Sequence, residues 1–204
     1  MISKTLTKHE LNILYKSEIE HTFPPAERKP FSTMAALMDE GAYEPIAFWE
    51  DDELVAYALL WTAPETGHVL LDYLGVTSAR RGCGIGGQVL TELDQATKGR
   101  WDGILAEVEA PQEGAPEYEQ QVRRIRFYER CGYRYAGYDV GLFGVHYRMY
   151  VCNGQDQNQL MRDQEAIYRT QLNPNWYQRV VQMPLKPGEA VHSWTQLQAD
   201  GKGM

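Results

Sequence analysis

Apolar positions along this chain switch between two periods, and the switches mark out its elements. Leu11, Leu14 and Tyr15, followed by Glu18, fall at helical spacing, and Thr7 with Glu10 three residues on forms a capping box before them. A proline-rich connection, Phe23-Pro24-Pro25-Ala26-Glu27-Arg28-Lys29-Pro30-Phe31, leads to a short second helix predicted from a cap at Ser32 to a stop at Gly41. Ile46–Trp49 and Leu54–Trp61 read as a hairpin turned at Asp51-Asp52-Glu53, and Thr62–His68 turns the chain into a third strand, Leu70–Val76. The period then becomes helical at Ile85, Val89, Leu90, Leu93 and Ala96, closing at Gly99. A strand over Ile104–Val108 follows, then a loop rich in Pro, Gly and acid over 109–117. Tyr118, Val122, Ile125 and Tyr128 mark a helix ending at Cys131 with Gly132 as its cap. Tyr135–Leu142 and Val145–Cys152 close the pattern as a second hairpin.

Beyond Cys152 the pattern weakens. A helix over Asp156–Leu172 has only a thin stripe, Leu160 with Ile167 and Met161 with Tyr168; Asn173-Pro174-Asn175-Trp176-Tyr177 breaks it, and the end is expected to be extended or loose. Packing on the sheet is the favoured role for this tail, because Trp176, Tyr177 and Trp194 need burial. Three strands joined by tight turns, then alternating helices and strands, predict an α/β mixed sheet. The division expected is one domain over 1–152 and an appendage over 153–204, packed on the domain or on a partner subunit.

The chemistry concentrates in 70–93. A strand feeding the turn Arg80-Arg81-Gly82-Cys83-Gly84-Ile85-Gly86-Gly87, which opens a helix, is a phosphate-binding arrangement: the first helical N–H groups have no partners of their own, glycines admit a ligand, and arginines supply charge. A Walker loop is excluded because Gly86 is followed by Gly87 and Gln88 instead of Lys and Ser or Thr. Gly82, Gly84 and Gly87 have dinucleotide-loop spacing, but that fold wants the loop near the start of its sheet.

Composition narrows the reading further. A net charge of −8 over 204 residues argues against a nucleic-acid surface and suits a cationic or amine-bearing partner. Cys83, Cys131 and Cys152 are odd in number and lack metal spacing, which points to free thiols in a reducing compartment, and no metal is expected. No run approaches a membrane span and the N-terminus lacks signal-peptide regions, so a cytoplasmic location is expected.

Arg81, Gly84 and Gly86 directly after a strand resemble the acetyl-CoA loop of the GNAT superfamily of N-acetyltransferases, Arg/Gln-x-x-Gly-x-Gly/Ala. Tyr128-Glu129-Arg130-Cys131-Gly132-Tyr133 is similar to a second pattern of that family, Tyr-Glu-x-x-Gly-Phe/Tyr ending a helix before the sixth strand. The resemblance covers residues 5–152. It implies the GNAT fold, a mixed sheet of about seven strands flanked by helices, here with a C-terminal extension. It also implies acetyl-CoA as cosubstrate and transfer to an amine of a small molecule or peptide by direct attack in a ternary complex. Its fourth and fifth strands splay apart, with pantetheine between them against the backbone of Leu74, Gly75 and Val76 and pyrophosphate on the N–H groups of Arg81–Gly87. Val76 N–H becomes the expected oxyanion donor, and the first two helices with Phe23–Phe31 lie on the acceptor side, where that segment either lines the amine pocket or is a rigid loop.

Acetyl transfer from a thioester needs a neutral amine, a stabilised oxyanion and a proton for the thiolate. Tyr128 corresponds in position to the family's general acid, and a phenol's pKa of about 10 suits delivery to a thiol of about 8.5. The base candidates are Glu107 first, then Asp72, which shares strand parity with Leu74 and Val76, and Glu109; either of the first two could bind the acceptor's ammonium instead. His146 is a weaker candidate for the acceptor pocket. Gln121, where many members carry Asn, and Arg124, where a small residue is common, depart from the pattern. Three alternatives stay open: a longer acyl donor, a non-catalytic acyl-CoA-binding module and a dinucleotide-binding protein. A homodimer is compatible with the sequence.

Overall fold

The computed structural model describes residues 1–154 and 156–192. Eight strands form one sheet in the order β1-β2-β3-β4-β5-β7-β6-β8: β1 Ile2–Thr5, β2 Tyr43–Glu50, β3 Glu53–Trp61, β4 His68–Val76, β5 Gly103–Glu109, β6 Arg134–Leu142, β7 Val145–Cys152 and β8 Val181–Leu185. The helices are α1 Lys8–Leu14, α2 Phe31–Asp39, α3 Ile85–Thr97, α4 Tyr118–Arg130, α5 Gln157–Arg169 and α6 Pro174–Val180.

Local chemistry accounts for most element ends. Thr7 and Glu10 close their capping box on α1, which runs on through a π-helical turn over Tyr15–Ile19 and helical residues Glu20–Thr22. The β2–β3 hairpin turns on Asp51 and Asp52, both at positive φ (49° and 64°), the twist that a two-residue hairpin turn demands. Gly132 follows α4 at φ 85°. Helix α2 is entered from Pro30, two residues before the expected Ser32 cap, and has no side-chain cap.

The sheet separates two apolar layers. On one side α1, α2, α5 and α6 bring Leu11, Leu14, Met34, Leu37, Leu160, Ile167, Tyr168 and Val180 against Tyr57, Leu59, Leu70, Leu105 and Val151. On the other, α3 and α4 bring Val89, Leu90, Leu93, Ile125 and Tyr128 against Ala58, Leu60, Leu71, Ala106 and Val108.

Two irregularities in β4 shape the site. The β3–β4 register shifts so that Leu59 faces Tyr73 and Leu60 faces Leu71, leaving Asp72 as an extra, bulged residue. Leu70 and Tyr73 consequently lie in the α1 layer while Leu71, Leu74 and Val76 pack in the α3 layer. This corrects the parity expectation: the bulge turns the Asp72 side chain away from the face of Leu74 and Val76, towards Tyr43 and Lys29. The second irregularity is the end of pairing: β4 and β5 run parallel only from His68 with Gly103 to Leu71 with Ala106. Past that point the two strands part, leaving Tyr73–Val76 with no β5 partner among the described residues.

The C-terminal segment departs from expectation. Residues 173–177 do not simply break α5: Asn173 caps α6 by accepting from Trp176 N–H, with Pro174 at the first position. The chain that follows, expected to be extended or loose, is extended and adds β8 antiparallel to β6, making eight strands instead of about seven. Trp176 and Tyr177 are half-buried, lying beside Arg179 and Arg169 respectively. Trp194, Gly201 and Gly203 lie outside the described residues.

Candidate active site

Where β4 leaves β5, a cleft of about 510 Å³ opens in the α3 layer. Leu74, Val76, Arg81, Gly82, Gly84, Ile85, Gly86, Gly87 and Tyr128 line it, together with Arg80, Arg124, Phe127 and Arg130. Helix α3 enters it from Gly84, which sits at φ 82° and gives no side-chain cap, so the helix turns its first N–H groups and the positive end of its dipole to the cleft, although Gly87 N–H, one of the expected donors, is taken by the Gly84 carbonyl at 3.1 Å. Gly82 is also left-handed, at φ 79°. A Cβ on Gly86 would stand 3.2 Å from the Phe127 ring, so glycine there lets α3 close on α4.

The arginines divide their work. Arg81 folds back so that its Nε donates to the Val76 carbonyl at 3.1 Å, fixing the loop to the strand end. Arg80 turns out to Glu53 at 3.0 Å. Arg124, a departure from the family pattern, lines the cleft and pairs with Glu109 at 3.4 Å. Gln121 is buried and accepts from Gln112 N–H at 3.1 Å, so it anchors the 109–117 loop. Two predicted residues stay off the cleft wall. Cys83 is exposed at the loop tip, and Gly75 lies under Tyr57, whose Cζ would be 2.1 Å from a Cβ there.

Tyr128 lies on α4 at 8 % exposure, edge-on to Phe127 and Tyr133 with ring centroids 5.3 Å apart in both pairs. Burial pushes its phenol up to about 12, against a lowering pull from Arg124, so it holds its proton through neutral pH.

The carboxylates occupy the opposite face. Glu107, partly buried on β5, accepts a short hydrogen bond from the Tyr168 hydroxyl of α5, and Gln164 donates to that same hydroxyl at 2.6 Å. Burial raises the Glu107 carboxyl to about 7; the Tyr168 hydrogen bond opposes this and Asp72 adds to it. Asp72 is engaged: its Oδ2 takes the Lys29 ammonium at 2.8 Å and the Tyr43 hydroxyl at 2.5 Å. Lys29 lies on the 23–31 connection, which crosses this face pinned by Tyr73. His146 shares a face of β7 with Arg148 and Tyr150, bonds Asp139 at 2.7 Å, and so sits apart from Glu107.

Tyr168 and Lys29, with Tyr43, Tyr73 and Gln164 around them, are residues at this site that sequence reasoning did not single out. Tyr168 appeared only as part of a helical stripe; its signal was a hydroxyl in an apolar stripe, which a buried position obliges to find a partner.

The acetyltransferase (GNAT) family model matches residues 10–133, more than half of the chain and both halves of the cleft. The chain belongs to the GNAT acetyltransferase family. A relative in Bacillus subtilis (strain 168), YjbC, assigned as an acetyltransferase, is 30% identical over 119 residues, which are 58% of this chain and 56% of that protein. This chain therefore aligns with little more than half of that relative's length. Among solved structures, a Bacteroides thetaiotaomicron protein assigned to the GNAT family superposes with a TM-score of 0.67 at 20% identity, covering 86% of this chain and 98% of that one. The ribosomal-protein-S18-alanine N-acetyltransferase of Escherichia coli superposes with a TM-score of 0.55 at 19% identity, over 74% of this chain and 92% of its own. In this GNAT chain the splayed strands, the Arg81–Gly87 loop and Tyr128 stand together around one cleft. Among the described residues no cluster of His, Cys, Asp or Glu could hold a metal ion, and no helix is long and apolar enough to cross a membrane.

Proposed function

We propose that the protein is an acetyl-CoA-dependent N-acetyltransferase that acetylates a primary amine of a small molecule or peptide by direct attack in a ternary complex. The observation that carries the reading is the division of the splayed β4–β5 gap: an anion-binding loop and a protonated Tyr128 on one face, a near-neutral carboxyl on the other. Pyrophosphate would rest on the N–H groups at the start of α3, with Arg124 and Arg130 beside it. Pantetheine would follow the β4 edge from Leu74 to Val76, whose backbone groups β5 leaves unpaired.

Each chemical demand then has a residue. Glu107 takes the acceptor's proton, because a base titrating near 7 is half ionised at working pH and still holds a proton well. Val76 N–H stabilises the oxyanion, and Tyr128 protonates the departing thiolate. Asp72, engaged by Lys29, orders the acceptor side. A neighbour of this fold is an aminoglycoside 6'-N-acetyltransferase complexed with coenzyme A, and another is a mutant of the spermidine N-acetyltransferase of Vibrio cholerae; both support an amine acceptor for this acidic chain.

Thermal shift with acetyl-CoA, longer acyl-CoAs, free CoA and NAD tests the reading. A ligand at one hundred times its Kd stabilises the fold by about 2.7 kcal/mol. A shift with acetyl-CoA and none with NAD, followed by amine-dependent CoA release, is expected; no shift with any CoA ends the proposal.

A further inference from the structure

Lys29 is a buried lysine in a protein whose other described lysines are outside. Lys4, Lys8, Lys16, Lys98 and Lys186 are exposed, whereas the Lys29 side chain is 8% exposed. Its backbone is fixed over the β4 bulge at both ends of its peptide units. The N–H donates to Tyr73 Oη at 2.7 Å and the carbonyl accepts from Tyr15 Oη at 3.2 Å, while Tyr73 itself donates to the Glu27 carbonyl at 2.8 Å. From that anchorage the side chain turns down to the sheet. Its Nζ stands 2.8 Å from Asp72 Oδ2, 3.4 Å above the Trp61 ring centroid and 5.2 Å from that of Tyr43, with Glu107 close enough to act on it electrostatically.

This is a primary amine held in cis on the Glu107 side of the gap between β4 and β5, opposite the cofactor cleft. Anchored in this way, it does not pay the entropy of bringing in a separate acceptor. The backbone from which its flexible four-carbon stem starts is held by Tyr73 and Tyr15. Burial lowers the ammonium's pKa from the ordinary lysine range, while Asp72 opposes the shift, so the neutral, nucleophilic form is more accessible here than on the exposed lysines.

We propose that Lys29 is a site of self-acetylation, in which its amine takes the acetyl group from acetyl-CoA bound to the same chain. This rests on the acetyltransferase reading above. The Lys29 nitrogen forms the amide C–N bond and the thioester C–S bond breaks. The proton leaving nitrogen goes to Glu107, the C–S electron pair departs with sulfur, and Tyr128 protonates the thiolate. The products are Nε-acetyl-Lys29 and CoA. The modification removes the positive charge beside Asp72, freeing that carboxylate for an acceptor ammonium.

The test incubates the purified full chain with acetyl-labelled acetyl-CoA, without added amine, over a tenfold range of protein concentration, and maps the label by peptide mass spectrometry. Label at Lys29 should exceed that at any exposed lysine at least tenfold, appear with a rate constant independent of protein concentration, and slow at least tenfold in Glu107→Gln. Label at Lys29 no higher than at Lys4, Lys8 or Lys98, or a rate constant proportional to protein concentration, overturns the proposal. The same preparation is assayed for acetyl-CoA thermal shift and for transfer to added amines. An unlabelled Lys29 beside working amine transfer removes self-acetylation and leaves the enzyme reading standing; an unlabelled Lys29 with no shift removes both.

Discussion

At the residue scale, Glu107 and Tyr128 have pKa values moved in the same direction for opposite purposes. Burial keeps the phenol protonated as an acid and brings the carboxyl into the range of a base. If Glu107 is the base, kcat/KM should rise with pH around a midpoint near 7, and Glu107→Gln should flatten that limb and cost about 10²–10⁴-fold in rate. Gln can still accept from Tyr168, so the variant should stay folded. It should also change how stability depends on pH. The native Glu107 carboxyl binds its proton more tightly than the unfolded one, whose pKa is 4.5, so its contribution to stability falls as pH rises from 4.5 to about 7, and the Gln variant should lose that fall. Parallel melting curves of the two proteins across this window check the sign. For Tyr128→Phe the acetyl-CoA thermal shift should persist while turnover drops about 10²-fold or more; an unchanged kcat takes Tyr128 out of the mechanism. Tyr128 was legible because Glu129 and Gly132 follow it in a recognisable order. Tyr168 was not, because its hydroxyl meets Glu107 across 61 residues of sequence, and nothing local in α5 records that partner.

At the element scale, β4 carries the burden of the site. Its period was readable as a strand, but the sequence alone does not mark the bulge at Asp72: one inserted residue leaves composition unchanged and reverses which side chains share a face. That is why Asp72 was grouped with Leu74 and Val76 and instead meets Lys29 and Tyr43. The end of β4–β5 pairing was expected from resemblance to a family, since a divergence of strands leaves no periodic trace. Gly75 is the element's tightest constraint. It pairs with Tyr57, a fully buried ring that would meet a Cβ at 2.1 Å. Gly75→Ala should therefore destabilise the fold by about 1–3 kcal/mol through overpacking. Pushing β4 away from β3 at this point also shifts the edge that pantetheine would follow, so acetyl-CoA affinity should fall with stability. Chemical denaturation and acetyl-CoA titration on the same sample check both, and unchanged affinity would place the pantetheine path elsewhere.

At the scale of the whole molecule, the segment after Cys152 decides whether the site can exist without it. The sequence pattern suggested an appendage over 153–204 packed on the domain or on a partner subunit, because the apolar stripe of α5 is thin. In the fold Leu160, Ile167 and Tyr168 are wholly buried, each against residues of the sheet's α1 layer. Asp163 adds a 2.6 Å contact to buried His68 at the start of β4, Thr170 accepts from Trp61 Nε1 at 2.8 Å, and β8 covers the edge of β6. Each buried aliphatic side chain is worth about 1.5–3 kcal/mol, against a net stability of about 5–15 kcal/mol for a typical domain. Removing several at once, with two polar partners stranded, leaves no margin. A chain ended at Gly154 should show no cooperative thermal transition and no shift with acetyl-CoA, although the whole 10–133 family match is still present in it. A truncated chain that melts cooperatively and still binds acetyl-CoA would mean that residues 1–154 fold without this segment. It would also separate cofactor binding from the Tyr168–Glu107 contact, leaving Glu107 to be tested as a base without its phenol partner.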